Sequence, residues 1–176
     1  MSGVGRGLAW LLLGSTVLVS GCSAGENAEA ETVVRSYCEA VIVAYRTLDP
    51  EAVRPMTTDK EWRKLVVLID LKRANRLVLE STLEELEVTA VGHPSPGVMT
   101  VGTTERWRYF DRPLDVGRPV GSELVVEMDL EYSFVERDGA WLMDQARTLR
   151  HDYLEPEGVA LDPHDAHVST GSGESP

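Results

Sequence analysis

The stretch that decides the fold runs from residue 124 to residue 141 and reads LVVEMDLEYSFVERDGAW. Alternation with a period of two predicts a strand with one face on a core and the other in solvent. Asp138-Gly139 then predicts a tight hairpin turn into a last strand, Trp141 to Leu149. The predicted inward side chains are Leu124, Val126, Met128, Leu130, Tyr132 and Phe134, and the outward ones are Glu127, Asp129 and Glu131.

Two more strands are predicted upstream of this hairpin. Leu86, Val88 and Ala90 alternate with polar residues, and a turn with two prolines and a glycine follows at 93–97. The next predicted strand, Val98 to Phe110, is followed by a loop over 111–121. Together these strands predict an antiparallel sheet of four or more strands with one buried face.

The first third of the chain has helical spacing instead. Val33, Tyr37, Val41, Ala44 and Leu48 form one amphipathic stripe. Asp49-Pro50 predicts a short second helix, and the capping box from Thr58 to Glu61 predicts a third helix from about Asp59 toward Leu79. This third helix is predicted to be covered on more than one side, because Trp62, Leu65, Val66, Ile69 and Leu77 share one face while Val67, Leu71 and Ala74 lie opposite.

Helices followed by a meander predict an α+β domain in which the helices pack on one face of a curved antiparallel sheet. The segment Tyr132-Ser133-Phe134-Val135, the turn Asp138-Gly139-Ala140-Trp141 and the following Leu142-Met143 resemble the closing hairpin of the nuclear transport factor 2-like (cystatin-like) superfamily. In particular they resemble the IMS-type domain of chloroplast-division and cyanobacterial proteins and their lipoprotein relatives. The resemblance implies a cystatin-like cone. The superfamily contains cyclases, isomerases, dehydratases and non-catalytic binding domains, so it implies no single activity.

The N-terminus indicates where the protein works. Val19-Ser20-Gly21-Cys22 follows an apolar run and resembles the lipobox of bacterial lipoproteins, in which the cysteine is acylated and becomes the new N-terminus. A plain secretory signal or a retained transmembrane helix are the alternatives, but the run is shorter than the roughly 20 residues that span a bilayer. We expect a signal peptide over 1–21 and a lipid anchor on Cys22. The domain then lies at the outer membrane or at the outer face of the cell membrane, depending on the host.

Composition sets the remaining boundaries and exclusions. We expect a flexible tether over 22–30, one domain over 31–150, and a disordered acidic tail over 151–176 that lacks Lys and Arg. The net charge of −12 excludes nucleic acid as a partner. No cofactor is predicted. His164 and His167 of the tail do not predict a metal site, because two imidazoles and a carboxylate in a flexible segment make a weak site.

Polar residues on the predicted inward faces are the candidate site. Glu105 is in phase with Trp107, while Gln145 and Arg147 are in phase with Trp141. One interpretation is a pocket in which Glu105 acts as acid or base and Arg147 holds an anion. In the other, these residues lie at strand ends in water or pair with each other. The aromatic side chains of Trp107, Tyr109 and Trp141 are candidates for the pocket wall.

Arg73 and Arg76 are predicted on the same helical face as Trp62, either guarding a pocket mouth or covering apolar surface. Two functions follow from these observations. The preferred one is a non-enzymatic envelope lipoprotein that binds a protein or small ligand, and it predicts an exposed apolar patch or open sheet face. The alternative is a small cyclase- or isomerase-type enzyme, which predicts a closed cavity with a desolvated Glu105 near Tyr109 or Arg147. Oligomeric state is left open.

Overall fold

The computed structural model describes residues 24–115 and 120–154. The predicted signal peptide, the lipobox with Cys22, and the tail from residue 155 with His164 and His167 lie outside the described residues. Within those ranges, no helix combines the length and the apolar character that crossing a membrane requires. In chain order the elements are α1 (Ala24–Thr47), a 3-10 helix (Pro50–Met56), α2 (Asp59–Ala74), β1 (Leu77–Ser95), β2 (Val98–Pro113), β3 (Val120–Arg137) and β4 (Ala140–Leu154).

The four strands form one sheet in the order β1-β2-β3-β4, and each pairs antiparallel with the next. At the turn between β3 and β4, Asp138 and Gly139 have φ of 54° and 78°. Two successive positive φ values are typical of the Asp-Gly hairpin turn that the sequence predicts. The predicted α+β class and the antiparallel meander are therefore confirmed.

The core lies between one face of the sheet and the helices. Every second side chain of β3 from Leu130 to Phe134 is buried, as the alternation predicts. These side chains pack in one cluster with the buried stripe of α1. The largest contributors from the helices and the sheet are Val34, Tyr37, Cys38, Ala44, Leu65, Ile69, Met99, Val101, Tyr132, Phe134 and Met143.

Both predicted helix starts are confirmed by their caps. The Asp49 carboxylate accepts a hydrogen bond from the Glu51 amide at 3.0 Å, and the Thr58 hydroxyl accepts one from the Glu61 amide at 3.4 Å. The predicted end of α2 near Leu79 is wrong. The chain leaves the helix after Ala74, and β1 begins at Leu77 because that segment pairs with the end of β2.

Three other expectations need correction. Residues 24–30, assigned to a flexible tether, belong to α1, because they are rich in alanine and glutamate and Ala30 is buried in the core. Residues 151–154, assigned to the tail, belong to β4 because they pair with Val125–Met128. Val67 and Leu71 on the outer side of α2 are not covered, since they are 66% and 58% exposed.

Candidate functional site

Two extra residues in β4 decide which of its side chains face the core. Phe134 pairs with Met143 but Ser133 pairs with Gln145, which leaves Asp144 as a bulge. A second bulge leaves Leu149 unpaired farther along the strand. Because side chains alternate strictly along a strand, each extra residue moves every later side chain to the other face. Between Asp144 and Leu149, the positions that share the inward face with Met143 are therefore Ala146 and Thr148.

This bulge places two predicted site residues on the outer face. Arg147 is exposed, and its Nη2 donates to Oε1 of Glu131 at 2.9 Å. Gln145 is also exposed, and its side-chain oxygen accepts from Nζ of Lys60 at 3.4 Å. The prediction that Arg147 and Gln145 line a pocket is wrong, because it assumed an unbroken period of two through Asp144.

Strand β2 keeps its period, and Glu105 points into the core as predicted. Its side chain has no exposed surface. Oε1 accepts hydrogen bonds from the hydroxyls of Thr103 and Tyr132, both at 2.8 Å, and Oε2 accepts one from the indole Nε1 of Trp107 at 2.7 Å. Because an indole N–H can only donate, Oε2 of Glu105 is the acceptor of this hydrogen bond. The three donors fix the carboxylate in one orientation.

The hydrogen-bonded cluster continues into α1. Sγ of Cys38 lies 3.9 Å from the hydroxyl of Tyr132. Burial, followed by the charge of Glu105, raises the pKa of the Cys38 thiol to about 12. Burial also raises the pKa of Tyr132 and of Tyr37 well above the ordinary value. The thiol and both phenols are therefore protonated at neutral pH, and Cys38 acts as a packed thiol rather than a nucleophile.

A cavity of about 250 Å³ lies directly above this cluster, between α1 and strands β2, β3 and β4. We call it the groove. Its walls are mainly apolar, and it opens beside β4, where Ala146 and Thr148 are exposed. A volume of this size is slightly below the range of about 300 to 1,000 Å³ typical of small-molecule sites. The lining residues are Tyr37, Cys38, Val41, Glu105, Trp107, Met128, Leu130, Tyr132, Ala146 and Thr148.

Of the predicted aromatic residues, only Trp107 lines the groove. Tyr109 lies farther along β2, opposite Leu124. Trp141 lines a separate cleft of about 170 Å³ between α1 and β4 and donates from Nε1 to Glu29 at 3.2 Å. The prediction of one shared aromatic pocket is therefore wrong for Tyr109 and Trp141.

The two candidate arginines of the third helix also lie away from the groove. Arg73 is in α2 and contacts the Asp70 carboxylate and the carbonyl oxygen of Leu48. Arg76 is not helical, since its φ is 57°, and it pairs with Asp115 at 2.7 Å. Both therefore stabilise the local structure at the end of α2, and neither guards the groove.

Sequence reasoning missed Thr103, Tyr132 and Cys38 as members of the site. Tyr132 was assigned to the core, where a phenol hydroxyl requires a partner. The usable signal was in β2, where Thr103, Glu105 and Trp107 occupy successive inward positions of one strand. Three successive inward side chains that each carry a hydrogen-bonding group predict a hydrogen-bonded cluster, because buried polar groups need partners.

The outer face of the sheet contains ion pairs instead. Arg150 pairs with Glu127 and Asp129, both at 2.8 Å, while Arg108 pairs with Glu84 at 2.6 Å. The predicted outward position of Glu127 and Asp129 is confirmed. In the part of the chain that the structure describes, no group of three or more His, Cys, Asp or Glu side chains is arranged to hold a metal ion.

Comparison with known proteins identifies the fold. No family model matches the chain, and no curated protein matches it. The intermembrane space region of the chloroplast protein ARC6 superposes with a TM-score of 0.62 at 15% identity, over 69% of this chain and 95% of that chain. At this identity the likeness shows the fold alone.

Two more distant structures superpose less well. A cystatin-like protein from Caulobacter vibrioides gives a TM-score of 0.43 at 16% identity, over 77% of this chain and 97% of that chain. A type 2 hexachlorocyclohexane dehydrochlorinase, LinA, gives 0.48 at 7% identity, over 76% and 95%. The fold is shown by the superposition on the ARC6 region, with its TM-score of 0.62, and the predicted resemblance is confirmed at the level of fold.

Proposed function

We propose that this chain is a lipid-anchored protein of a bacterial cell envelope whose domain binds a protein partner or small ligand in the groove without catalysing a reaction. The observation that supports this most directly is the state of Glu105. Its carboxylate has no exposed surface and already accepts three hydrogen bonds. This acid-base candidate is thus committed to holding the groove floor together.

A general base must reach the proton that it removes, within a hydrogen bond or through one water. In Glu105 the hydroxyls of Thr103 and Tyr132 occupy one oxygen and the Trp107 indole occupies the other. A buried network whose members are all satisfied gives rigidity, and a rigid site loses less conformational entropy on binding. The cluster therefore suits a preformed binding floor better than a proton-transfer centre.

Exposed apolar surface is the second feature in favour of binding. The groove has apolar walls and opens at β4. On α2, Val67, Leu68 and Leu71 are all exposed on the outer side. Large exposed apolar side chains grouped on one element are typical of interaction surfaces.

Lipid anchoring is supported by the motif at Val19-Ser20-Gly21-Cys22. Acyl chains on Cys22 would hold the domain at a membrane, since each buried methylene contributes about 0.8 kcal/mol. Mass spectrometry of the mature protein is expected to find an acylated N-terminal Cys22. Cys22→Ser is expected to move the protein from the detergent phase to the aqueous phase, and an unchanged partition would contradict the anchor.

A matched pair of variants on β4 tests the groove. Ala146→Trp fills the groove from an exposed position, while Arg147→Trp adds the same side chain to the opposite face one residue away. Each protein is purified from detergent-solubilised membranes, and its bound partners and small molecules are identified by mass spectrometry. We expect Ala146→Trp to lose them and Arg147→Trp to retain them. Equal retention by both variants would show that the groove is not the binding site.

The enzymatic alternative is favoured by one observation, the complete burial of Glu105 beneath a cavity. The neighbours that this hypothesis expected, Tyr109 and Arg147, are replaced by Tyr132 and Trp107. A small cyclase- or isomerase-type enzyme would convert a component of a cell-envelope extract, and Glu105→Gln would abolish the conversion. Mass spectrometry of the extract before and after incubation separates the two functions, because a binding module leaves its composition unchanged.

A further inference from the structure

Glu105 is a buried acidic group without a cationic partner. Among residues 24–115 and 120–154, its three hydrogen bonds all come from neutral donors, and none of the ion pairs includes it. Burying a carboxylate without an ion-pair partner is unfavourable, since water no longer solvates it. A cation bound in the groove would compensate this charge.

The groove also has the aromatic lining that organic cations prefer. Tyr37, Trp107 and Tyr132 all contribute to its wall. The rings of Tyr37 and Tyr132 meet edge to face, with centroids 6.2 Å apart. Aromatic faces attract cations through the ring quadrupole, and cages of such rings are a known means of holding ammonium groups.

The hydrogen bond between Trp107 and Glu105 joins these two features. The indole N–H donates to Oε2 of Glu105 at 2.7 Å, while part of the Trp107 side chain remains accessible. A carboxylate that accepts from the indole N–H increases the electron density of the ring. The Trp107 ring at the groove wall therefore attracts a cation more strongly, although the Glu105 carboxylate itself has no exposed surface.

We propose that the groove binds a small organic cation, an ammonium or alkylammonium group seated on Trp107, Tyr37 and Tyr132 with Glu105 behind them. This inference rests on the proposed function, in which the groove is the binding site. The cavity of about 250 Å³ is large enough for a headgroup-sized cation. The net charge of −12 raises the local concentration of cations around the whole protein.

The test compares choline with dimethylbutanol, the neutral carbon isostere of choline. Each is titrated by calorimetry into the full-length protein in detergent, and the indole N–H signal of Trp107 is followed by nuclear magnetic resonance. We expect choline to shift that signal and to bind about tenfold or more tightly than the isostere, because only the charged form gains the cation–π attraction. Equal binding of the two would overturn the cation site while leaving a neutral-ligand groove intact.

Variants separate the charge from the shape. Glu105→Gln keeps the shape of the floor and removes its charge, and it is expected to weaken choline binding about tenfold while sparing the isostere. Trp107→Leu removes the ring and is expected to abolish the preference for choline. Trp62→Leu is the control, because the Trp62 ring faces Arg54 outside the groove. Retained preference in both groove variants, with a folded control, would contradict the proposal.

Two sources supply such a cation, a free amine or a lipid headgroup. Phosphocholine and a short-chain phosphatidylcholine are added as competitors in the same titration. If both displace choline at similar concentrations, the source is a lipid headgroup. If the phosphate weakens binding, the acidic protein selects a free amine. Failure of all cations to bind would overturn this inference alone, because the Ala146→Trp comparison still tests the groove with any partner.

Discussion

On the inner face of the sheet, Glu105 is held by three neutral donors, whereas on the outer face Glu127 and Asp129 are held by the guanidinium of Arg150. Glu105 is completely buried, and the outer carboxylates are partly in solvent. The same functional group therefore serves two purposes on neighbouring strands. Inside it orders a site, and outside it balances charge.

The difference in surroundings decides how much each contact contributes. Exposed ion pairs stabilise a protein by about 0 to 1 kcal/mol, because water screens the charges and long side chains lose entropy. Each buried donor that loses its partner costs about 1 to 3 kcal/mol. The inner cluster is therefore expected to dominate stability although it has fewer charges than the outer face.

The largest effect is expected for Glu105→Ala. The substitution leaves the donors of Thr103, Tyr132 and Trp107 without their partner and opens a cavity, so we expect a loss of about 3 to 5 kcal/mol in the free energy of unfolding. Urea unfolding followed by circular dichroism measures it. Glu131→Ala removes the same side chain from the outer face, where Glu131 pairs with Arg147. A similar loss in both variants would contradict the contrast between the faces.

A smaller effect is expected for Tyr132→Phe, which removes one hydroxyl and keeps the ring. Glu105 then keeps Thr103 and Trp107 as donors, and Cys38 loses its polar neighbour. We expect a loss of about 1 to 2 kcal/mol in the same assay. Tyr153→Phe is the control, since Tyr153 is 65% exposed. If removing either hydroxyl has the same effect, the buried hydrogen bond does not contribute as argued.

The pH dependence of stability tests the buried thiol. The folded pKa of Cys38 is raised by burial from 9.0 to about 12. The unfolded chain therefore releases the thiol proton first, and stability is full below pH 9.0 and falls as pH rises toward about 12. Cys38→Ala is expected to reduce this slope, while Tyr37 and Tyr132 titrate in both proteins. Equal slopes of unfolding free energy against pH would show that the thiol is not desolvated.

The sequence predicts those features of the two sheet faces that depend on strand alternation and on turn residues. The alternation in β2 and β3 placed Glu105 inward and Asp129 outward, and Asp138-Gly139 placed the hairpin. The bulge at Asp144 was not predictable, because a strand with one extra residue has the same composition as a regular one. The bulge moves Arg147 to the outer face, whereas an unbroken period of two predicts it on the inner face.

Two other errors have the same origin in tertiary contacts. Leu77–Glu80 continues the helical spacing of α2, and only its pairing with β2 assigns it to β1. The start of α1 depends on Ala30, which is buried in the core. Its small side chain gives no sign of this in the sequence, where residues 22–30 have the composition of a tether. The alternation correctly predicts Tyr132 on the inner face, but its role depends on its hydroxyl reaching Glu105 on β2, four residues along from Val101, with which Tyr132 pairs.

The smallest effect is expected for Arg150→Ala on the outer face. Arg150 donates to Asp129 and Glu127 and also contacts Asp152, and the first of these hydrogen bonds holds the pKa of Asp129 below its usual value. Loss of the guanidinium leaves three carboxylates close together, so we expect a small destabilisation at low salt that high salt removes. Glu105→Ala, by contrast, should be insensitive to salt because neutral donors surround the site. Urea unfolding at two salt concentrations compares them, and a salt-independent loss in Arg150→Ala would mean that the aliphatic stem of Arg150, rather than its charge, stabilises the outer face.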